Sequence, residues 1–457
     1  MTQLLTPDQD VDTSGVPFAI TDRRFIPRER YFDREFFQLE NEKLWPHVWQ
    51  VACRLEEIPE VGDYVEYSVA GYSILVVRTG KGKDEIKAFQ NACRHRATQL
   101  AVGCGKFRGG QIVCPFHGWR WNIDGSPVFP LFGQEGFEER TLDPQDLRLI
   151  ECKVGTWANC VFINMDPNAP PLMEALDPVP SFLDPLNVGE MYVWWWKAAK
   201  LKANWKMAME AFMEGWHVMQ THPQFAAATG MEIPADLLSD CRSYHNGHAS
   251  QQQGQGSEVQ EHTGLTETSE AESMLAFTRT VYEGLDAMVL AKDVQVFEGL
   301  RHKDIPPGQF SQKMIEALYE WNRGAGIPLP DPDPEVLSRW SSQWFIFPNF
   351  MIHPAFGNAI VYRCRPDDPN DPEHCVFDFW SVTLYPKGQE PGKPVFGGYP
   401  SVYDDKEWPL IPFQDFSNIE SQQRGIHTPG FKATRLSSKW EDGISNMHVH
   451  LDRYLAR

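Results

Sequence analysis

Positive charge is scarce in this chain, which has 42 Lys and Arg against 62 Asp and Glu and a formal net charge of −20. That balance argues against nucleic acid or an anionic membrane surface as a partner. Apolar runs are short, and none approaches the roughly 18 residues that a bilayer-spanning helix needs. The opening Met-Thr-Gln-Leu-Leu-Thr-Pro lacks the basic and apolar regions of a secretory signal. We therefore expect no membrane association.

Cysteine spacing of the disulfide-scaffold type is also missing. The 9 cysteines are scattered over 457 residues, and a large chain without a disulfide framework is typical of a reducing compartment. The sequence therefore predicts a cytoplasmic protein. Its length allows two or three domains, and 42% hydrophobic residues are enough for a buried core in each.

Four potential metal ligands are grouped in two short segments. The first carries Cys93 and His95, and the second, after eighteen intervening residues, carries Cys114 and His117. Two thiolates on one iron and two imidazoles on the other form the ligand set of a Rieske [2Fe–2S] centre. A structural zinc site is the alternative, because Cys2His2 also suits tetrahedral zinc. Zinc fingers usually group Cys with Cys and His with His, so one of each per loop favours the cluster.

A second candidate metal site lies within residues 204–223. Good helix formers and an apolar stripe predict a helix up to about Gln220, which places Glu214 and His217 on one face. The proline that follows His222 disfavours helical backbone there, so the helix should end and the imidazole can turn back. Two histidines that need one carboxylate suggest the facial triad of a non-haem Fe(II) oxygenase.

The carboxylate must come from elsewhere in the chain. Residues 413–425 form another predicted helix, stopped by Gly425, and Asp415 is the best candidate within it. Glu420 competes for the role, because a sequence gives no distance to choose between the two acids. The other histidines of this half are expected to be structural, namely His353, His427, His448 and His450.

With these segments the chain resembles the catalytic α subunits of Rieske non-haem iron ring-hydroxylating oxygenases over nearly its whole length. The resemblance rests on residues 93–119, on the Asn-Trp-Lys…Glu-x-x-His-x4-His-Pro run at 204–223, and on the helix with Asp415 and Gln-Arg-Gly. In that family two histidines and an aspartate hold the mononuclear iron, which implies His217, His222 and Asp415 here. The implied cofactors are a Rieske [2Fe–2S] cluster and a mononuclear non-haem Fe(II), with O2 as co-substrate.

The resemblance also implies how electrons travel. The family places an acid three residues before the first iron-binding histidine, hydrogen-bonded to a Rieske histidine of the neighbouring subunit. This corresponds to a path from His117 through Glu214 to His217, which needs head-to-tail contact in a homotrimer, with or without a small β subunit. NAD(P)H is implied only indirectly, through a flavoprotein reductase or a ferredoxin.

A local reversal of charge fits such a redox partner. Between Lys87 and Ile123 there is no Asp or Glu, and we call the positive residues here the basic island: Lys87, Arg94, Arg96, Lys106, Arg108 and Arg120. Positive charge around a redox centre would steer an acidic ferredoxin or reductase to it. The alternative is that these side chains only pack against and solvate the loops.

Two positions depart from the family pattern. The acid before the first histidine is usually aspartate, whereas Glu214 is one methylene longer, similar to members that oxidise quaternary ammonium compounds. Many members carry Asn four residues before that acid, where this chain has Glu210. Either a carboxylate replaces the amide near the iron, or another residue takes its role.

The resemblance implies an enzyme that hydroxylates an organic substrate, by mono- or cis-dihydroxylation, or demethylates it oxidatively. The family's usual substrates and the aromatic-rich catalytic half favour an aromatic or polycyclic compound, and Glu214 favours quaternary ammonium compounds as the alternative. A further alternative is an electron-transfer Rieske protein without a working mononuclear site. The length of the chain and the retention of His217 and His222 oppose it.

We predict an α+β chain of three parts: an N-terminal arm and helix over 1–44 packing on the catalytic domain, a small all-β Rieske domain over 45–165, and a catalytic domain over 166–457. The catalytic domain is predicted to be an antiparallel sheet covered by helices, of the helix-grip type. Its strands are predicted from apolar runs at 192–196, 343–347, 359–363 and 375–384. The polar stretch 251–273 is predicted to be a surface loop.

Overall fold

The computed structural model describes residues 11–229, 240–252, 267–306, 308–330 and 341–457. The strands in these ranges are β1 (Phe25–Pro27), β2 (Gln50–Arg54), β3 (Asp63–Val69), β4 (Tyr72–Arg78), β5 (Ile86–Gln90), β6 (Cys104–Lys106), β7 (Gln111–Val113), β8 (Arg120–Asn122), β9 (Glu151–Trp157), β10 (Cys160–Asn164), β11 (Tyr192–Leu201), β12 (Asp240–Ser243), β13 (Ala249–Gln252), β14 (Gln343–Ile346), β15 (Phe350–Pro354), β16 (Asn358–Asp368), β17 (Asp371–Thr383) and β18 (Ala433–Arg435).

The α-helices in the same ranges are α1 (Arg34–Lys43), α2 (Leu172–Leu176), α3 (Val179–Leu183), α4 (Trp205–Glu210), α5 (Val218–Thr221), α6 (Pro223–Thr229), α7 (Glu267–Leu285), α8 (Ala291–Glu298), α9 (Phe310–Gly324), α10 (Leu410–Ile426) and α11 (Asp442–Leu455). Across the described ranges, none of them combines the length and apolar character needed to cross a bilayer. The chain divides into two compact units, of which the smaller is Asn41–Ala175 and the larger is built from the segments on either side of it.

The smaller unit is built on a seven-stranded antiparallel sheet with the order β2-β10-β9-β5-β4-β3-β6, beside the hairpin of β7 and β8. Its buried core joins sheet residues such as Leu75 and Phe89 to Trp121, Cys93 and Cys114. The two loops that carry the Cys and His residues are therefore anchored by the same core that stabilises the sheet.

The larger unit is built on a second seven-stranded antiparallel sheet, with the order β11-β17-β16-β15-β14-β13-β12. The short helix α4 packs on β16 and β17, and α10 packs on α4 and β11. Asn204 fixes the start of α4, because its side chain accepts a hydrogen bond from the Lys206 amide at 3.0 Å. The predicted α+β class, with an antiparallel sheet covered by helices, is confirmed.

The N-terminal segment of the larger unit is held by pairing and by buried charge. Strand β1 pairs antiparallel with β18. Arg30 donates to Asp452 at 2.6 Å, and Lys206 pairs with Glu40 at 2.6 Å, all four side chains being buried. Removing one partner of such a pair leaves an uncompensated buried charge, which lowers the stability of the fold by about 3–5 kcal/mol.

The continuous helix predicted over residues 204–220 is wrong, because it is interrupted between α4 and α5. The carbonyl of Phe212 accepts a hydrogen bond from the Gln343 side chain, and the carbonyl of Met213 accepts one from Gln251 Nε2 at 2.6 Å. A helix would use these carbonyls for amides four residues further on. Side-chain amides from the sheet therefore take acceptors that a continuous helix would need between α4 and α5.

The surface loop predicted over 251–273 is wrong at both ends. Strand β13 extends to Gln252, and α7 begins at Glu267. The part of the prediction that covers 253–266 lies outside the described residues. Helix formers and apolar residues after position 270 allow α7 to bury Leu275 against α8 and α9, which outweighs the polar character of its first turn.

Candidate metal centres

Three potential ligand atoms meet beside α5 and α10. His222 Nε2 lies 3.2 Å and His217 Nε2 lies 3.8 Å from Asp415 Oδ1, and the ligand atoms of all three residues lie within 4.8 Å of one another. Two nitrogen or oxygen ligands about 2.1 Å from one metal ion lie about 3–3.6 Å apart. The arrangement, which we call the triad, therefore fits a single metal ion after small adjustments.

The triad is closed on one side and open on the other. The side chains of His222 and Asp415 are 2% and 5% exposed, whereas that of His217 is 24% exposed. His222 sits where the backbone leaves the helix, as the following proline predicts, with φ −120° and ψ 69°. Two histidines and one carboxylate, with space on one side, match the donor set that binds Fe(II) and leaves positions open.

Glu420, the competing acid, does not lie beside the histidines. Its Oε1 accepts a hydrogen bond from the Lys202 amide at 3.1 Å, and its Oε2 accepts one from the Tyr403 hydroxyl at 2.5 Å. Five positions along a helix correspond to a rotation of about 140°, so Glu420 and Asp415 point in different directions from α10. The structure thus brings Asp415, and not Glu420, to the two histidines.

Each histidine is also held through its other ring nitrogen. His217 Nδ1 lies 2.6 Å from Glu214 Oε1, and His222 Nδ1 lies 2.8 Å from Gln414 Oε1. These bonds leave both Nε2 atoms facing Asp415, as is usual for metal-binding histidines. Burial lowers the pKa of His217, but the hydrogen bond and charge of Glu214 and the charge of Asp415 outweigh it and raise that pKa. Sequence reasoning missed Gln414, whose only signal is its place beside Asp415.

Glu210 does not take the place of an amide near the triad. Its carboxylate accepts a hydrogen bond from the Tyr31 hydroxyl at 2.9 Å and lies 2.8 Å from His448 Nε2. His448 Nδ1 accepts from Arg30 Nε at 3.0 Å, so the ring proton must be on Nε2, from where it donates to Glu210. Burial raises the pKa of Glu210 to about 7. Glu210 therefore belongs to a buried polar network behind α4.

The two ligand loops of the smaller unit fold alike. In the first loop the Cys93 amide donates to the Thr98 carbonyl, and the Cys93 carbonyl accepts from the Ala97 amide. In the second loop the Cys114 amide donates to the Trp119 carbonyl, and the Cys114 carbonyl accepts from the Gly118 amide. The residue four positions after the cysteine has a positive φ in both loops, 57° at Ala97 and 70° at Gly118. One turn is thus used twice, and it directs each cysteine into the core.

The four predicted cluster ligands are arranged as two pairs. His95 Nδ1 and His117 Nδ1 lie 3.2 Å apart, and the buried thiols of Cys93 and Cys114 are hydrogen-bonded to each other, while burial raises the pKa of Cys93. Within the described part of the chain, only the triad gathers three or more such ligand atoms within 4.8 Å of one another. Two separate pairs suit the two irons of a cluster better than one zinc ion.

Aromatic rings cover the histidine pair. The His95 ring stacks on Trp119 with centroids 4.8 Å apart, and Phe116 lies 3.8 Å from the His117 ring. Trp119 is buried, whereas Phe116 is 56% exposed. The pair thus lies at the surface of the smaller unit, where an electron donor or acceptor can approach it.

The basic island lies on the surface around these loops, but part of its charge is paired. Arg94, Arg96, Lys106, Arg108 and Arg120 are exposed. Lys87 forms an ion pair with Glu151, and Lys106 forms one with Glu60. The remaining positive charge is therefore carried mainly by the arginines.

The fold and the two centres define the class of Rieske non-haem iron proteins with a second, catalytic domain. The family model of the Rieske [2Fe-2S] domain matches residues 48–129. The family model of the ring hydroxylating alpha subunit (catalytic domain) matches residues 189–457. The chain therefore belongs to the ring-hydroxylating alpha subunits of the Rieske oxygenases, and the resemblance found in the sequence is confirmed.

Curated relatives and solved structures agree with this family. The chain is 30% identical over 209 residues to the carnitine monooxygenase oxygenase subunit of Acinetobacter pittii, covering 44% of this chain and 53% of that protein. It is 27% identical over 199 residues to the glycine betaine monooxygenase oxygenase subunit of Pseudomonas aeruginosa, covering 44% and 45%. The matches thus span about half the length of these relatives.

A solved structure extends the comparison to the whole fold. A quaternary ammonium Rieske monooxygenase, studied for carnitine oxidation and inter-subunit electron transfer, superposes with a TM-score of 0.61 at 19% identity, covering 95% of this chain and 96% of that chain. At this identity the likeness shows a shared fold.

Proposed function

We propose that this chain is the oxygenase subunit of a Rieske monooxygenase that oxidises a quaternary ammonium compound with O2. The observation that carries the proposal is the triad of His217, His222 and Asp415, with Glu214 hydrogen-bonded to His217. An electron carrier needs only the ligands of its cluster, so a second set of buried metal ligands supports a catalytic role.

The reaction balances with two electrons from outside. In a monooxygenation one atom of O2 enters a C–H bond of the substrate, and the other leaves as water after taking up two electrons and two protons. Iron bound at the triad supplies the activation of O2. The chain's own part is to fix both imidazoles through Glu214 and Gln414 and to exclude water from the closed side.

The choice of substrate rests on the relatives and on Glu214. Both curated relatives described above are named for quaternary ammonium substrates, carnitine and glycine betaine. These observations favour the alternative substrate class over the aromatic or polycyclic compound that the sequence suggested first.

Electrons are proposed to reach the triad from a neighbouring copy of the chain. Glu214 Oε1 accepts from the ring of His217, and its Oε2 accepts from the His217 amide at 3.1 Å. A carboxylate oxygen has two lone pairs, so either oxygen can also accept a hydrogen bond from a cluster histidine such as His117. This supports a homotrimer with contacts between Rieske and catalytic domains of adjacent copies.

An assay of reconstituted activity tests the substrate. Purified protein loaded with Fe(II) and supplied with a reductase should consume O2 with glycine betaine or L-carnitine and incorporate labelled oxygen into the product. His217→Ala should abolish this turnover while keeping the visible absorbance of the cluster, since the ligands of the two centres are separate. Oxygen incorporation into naphthalene and into neither cation would reject the proposed substrate class.

The partner is proposed to be an acidic ferredoxin or flavoprotein reductase that docks on the basic island. Arg96 lies beside His95, with its guanidinium 5.5 Å from the Phe116 ring. Arg96→Glu should slow reduction of the cluster by such a partner at low salt, and the difference should shrink at high salt. Arg140→Glu is the matched control, because Arg140 is an exposed arginine of the same unit outside the island. Equal rates of cluster reduction in the two variants would contradict a docking role for the basic island.

A further inference from the structure

Two polar side chains on adjacent strands of the larger unit stand next to the triad. Tyr362 on β16 pairs in register with Met351 on β15, and His353 lies two residues further along β15. Residues two apart point to the same face of a strand, so Tyr362 and His353 share one face of the sheet. Their rings meet edge to face, with centroids 5.1 Å apart.

This face of the sheet packs against the segment that leads to the triad. The Tyr362 ring packs against Phe212 at 4.9 Å, in the turn that leads to His217. Burial, and then the negative charge of Asp415, raise the pKa of Tyr362 well above its ordinary range. Burial, and then the charge of His217, lower the pKa of His353 to about 3. Tyr362 and His353 therefore lie within electrostatic reach of two triad members.

The Tyr362 hydroxyl has no hydrogen-bond partner in the described part of the chain. The residue is 4% exposed, and buried hydroxyls normally have a partner. Two other buried tyrosines follow that rule, because the Tyr31 hydroxyl donates to Glu210 and the Tyr67 hydroxyl donates to Gln50 at 3.0 Å. A protonated hydroxyl that lies near the triad and lacks a partner is suited to donate to a bound molecule.

The imidazole of His353 likewise has few hydrogen-bond partners among the described residues. Its one polar contact within the described residues is the approach of Nε2 to Met351 Sδ at 3.1 Å, and a thioether sulfur is a weak acceptor. The residue is partly exposed although it faces inward, so it borders open space. A neutral imidazole there can donate one hydrogen bond.

Aromatic rings complete this face. Tyr362 lies 5.6 Å from Phe377 and 5.0 Å from Phe379, and Phe379 lies 5.6 Å from Phe416, the neighbour of Asp415 in the chain. Ring faces attract quaternary ammonium groups. Phe377 and Phe379 are fully buried, whereas Tyr362 and Phe212 are 4% and 6% exposed. Two rings with some exposure and two unused donors thus stand together near the triad.

We infer that Tyr362 and His353 are specificity-determining residues that bind the oxygen-bearing group of a zwitterionic quaternary ammonium substrate, whose cationic end rests on the rings of Tyr362 and Phe212. The inference rests on the proposed function and names the side chains that would select among its substrates. A cation without an oxygen group would then use the rings alone.

Binding measurements on the Fe(II)-loaded protein separate the two contributions. Calorimetric titration with glycine betaine and with tetramethylammonium should show that Tyr362→Phe, which keeps the ring, weakens only glycine betaine, by about tenfold or more, because a hydrogen bond to a charged group is lost. His353→Leu should show the same selective loss. Tyr362→Leu, which removes the ring, should weaken both ligands. Tyr319→Phe, at a buried tyrosine of α9, is the matched control and should bind both as native protein does.

The outcomes distinguish the inference from the function on which it depends. Native affinity for glycine betaine in both Tyr362→Phe and His353→Leu would overturn the inference while leaving the substrate class intact. Binding of neither cation by the native protein would overturn the substrate class itself. Cluster absorbance and melting temperature, measured for each variant, show that the compared proteins are folded.

Discussion

Replacing Gln414 by methionine should weaken metal binding at the triad and leave the cluster in place. Gln414 Oε1 accepts the Nδ1–H of His222 at 2.8 Å, and the His222 side chain is 2% exposed. Without the amide this N–H finds no solvent, and a buried unpaired donor costs about 1–3 kcal/mol. Loss of such a supporting bond typically weakens metal binding about 10- to 100-fold, which is about 1.4–2.8 kcal/mol. The two magnitudes agree.

Competition with a chelator of known affinity measures the Fe(II) dissociation constant, and visible absorbance reports the cluster. Gln224→Met is the matched control, because Gln224 exchanges hydrogen bonds with Gln414 at 2.9 and 3.1 Å and forms none with His222 in the described residues. Gln414→Glu keeps an acceptor for His222 and should bind Fe(II) at least as tightly as native protein. Unchanged affinity in Gln414→Met would refute the reasoning, and equal losses in both methionine variants would show a general disturbance instead.

Three further predictions address the acids of the larger unit. Asp415→Ala should lose the mononuclear iron in metal analysis whereas Glu420→Ala keeps it, since Glu420 bonds to the Lys202 amide and Tyr403; the reverse result would exchange the two roles. Glu214→Gln should retain iron under excess Fe(II) but slow the reoxidation of the reduced cluster in a single turnover, and an unchanged rate would reject the bridge. Glu210→Gln should become more stable relative to native protein as pH rises from 5 to 8. Burial raises the pKa of Glu210 from 4.5 to about 7, so the native protein loses about 2.5 kcal/mol of stability over that window. Urea unfolding with a constant difference between the two proteins would contradict this.

The cluster loops and the helix end at His222 were predictable because their signals are local. A cysteine and a histidine in each loop, with small residues at turns, are set by neighbouring positions, and the two turns indeed share one hydrogen-bond pattern. The proline after His222 likewise acts on the adjacent residue. Short-range constraints of this kind can be read without knowing the fold.

The interruption of the predicted helix could not be predicted from the sequence, because the residues that cause it are distant in the chain. Gln251 and Gln343 belong to strands of the sheet, and their side-chain amides take the carbonyls of Met213 and Phe212. Helix propensity describes competition with water and nearby side chains, and it contains no information about acceptors removed by another element. The same limit applies to Glu210, whose partners Tyr31 and His448 come from opposite ends of the chain.

The sequence by itself determined which ligand types are available, how they are spaced, and that two separate centres are present, since those follow from residue identity and local geometry. Only the tertiary structure decided that Asp415 rather than Glu420 meets the histidines, that Gln414 supports His222, and that Tyr362 comes within electrostatic reach of Asp415 with an unused hydroxyl. The physical reason is that these relations are distances between segments up to about 200 residues apart. Packing of α10 and the sheet fixes such distances, and no periodicity or local propensity encodes them.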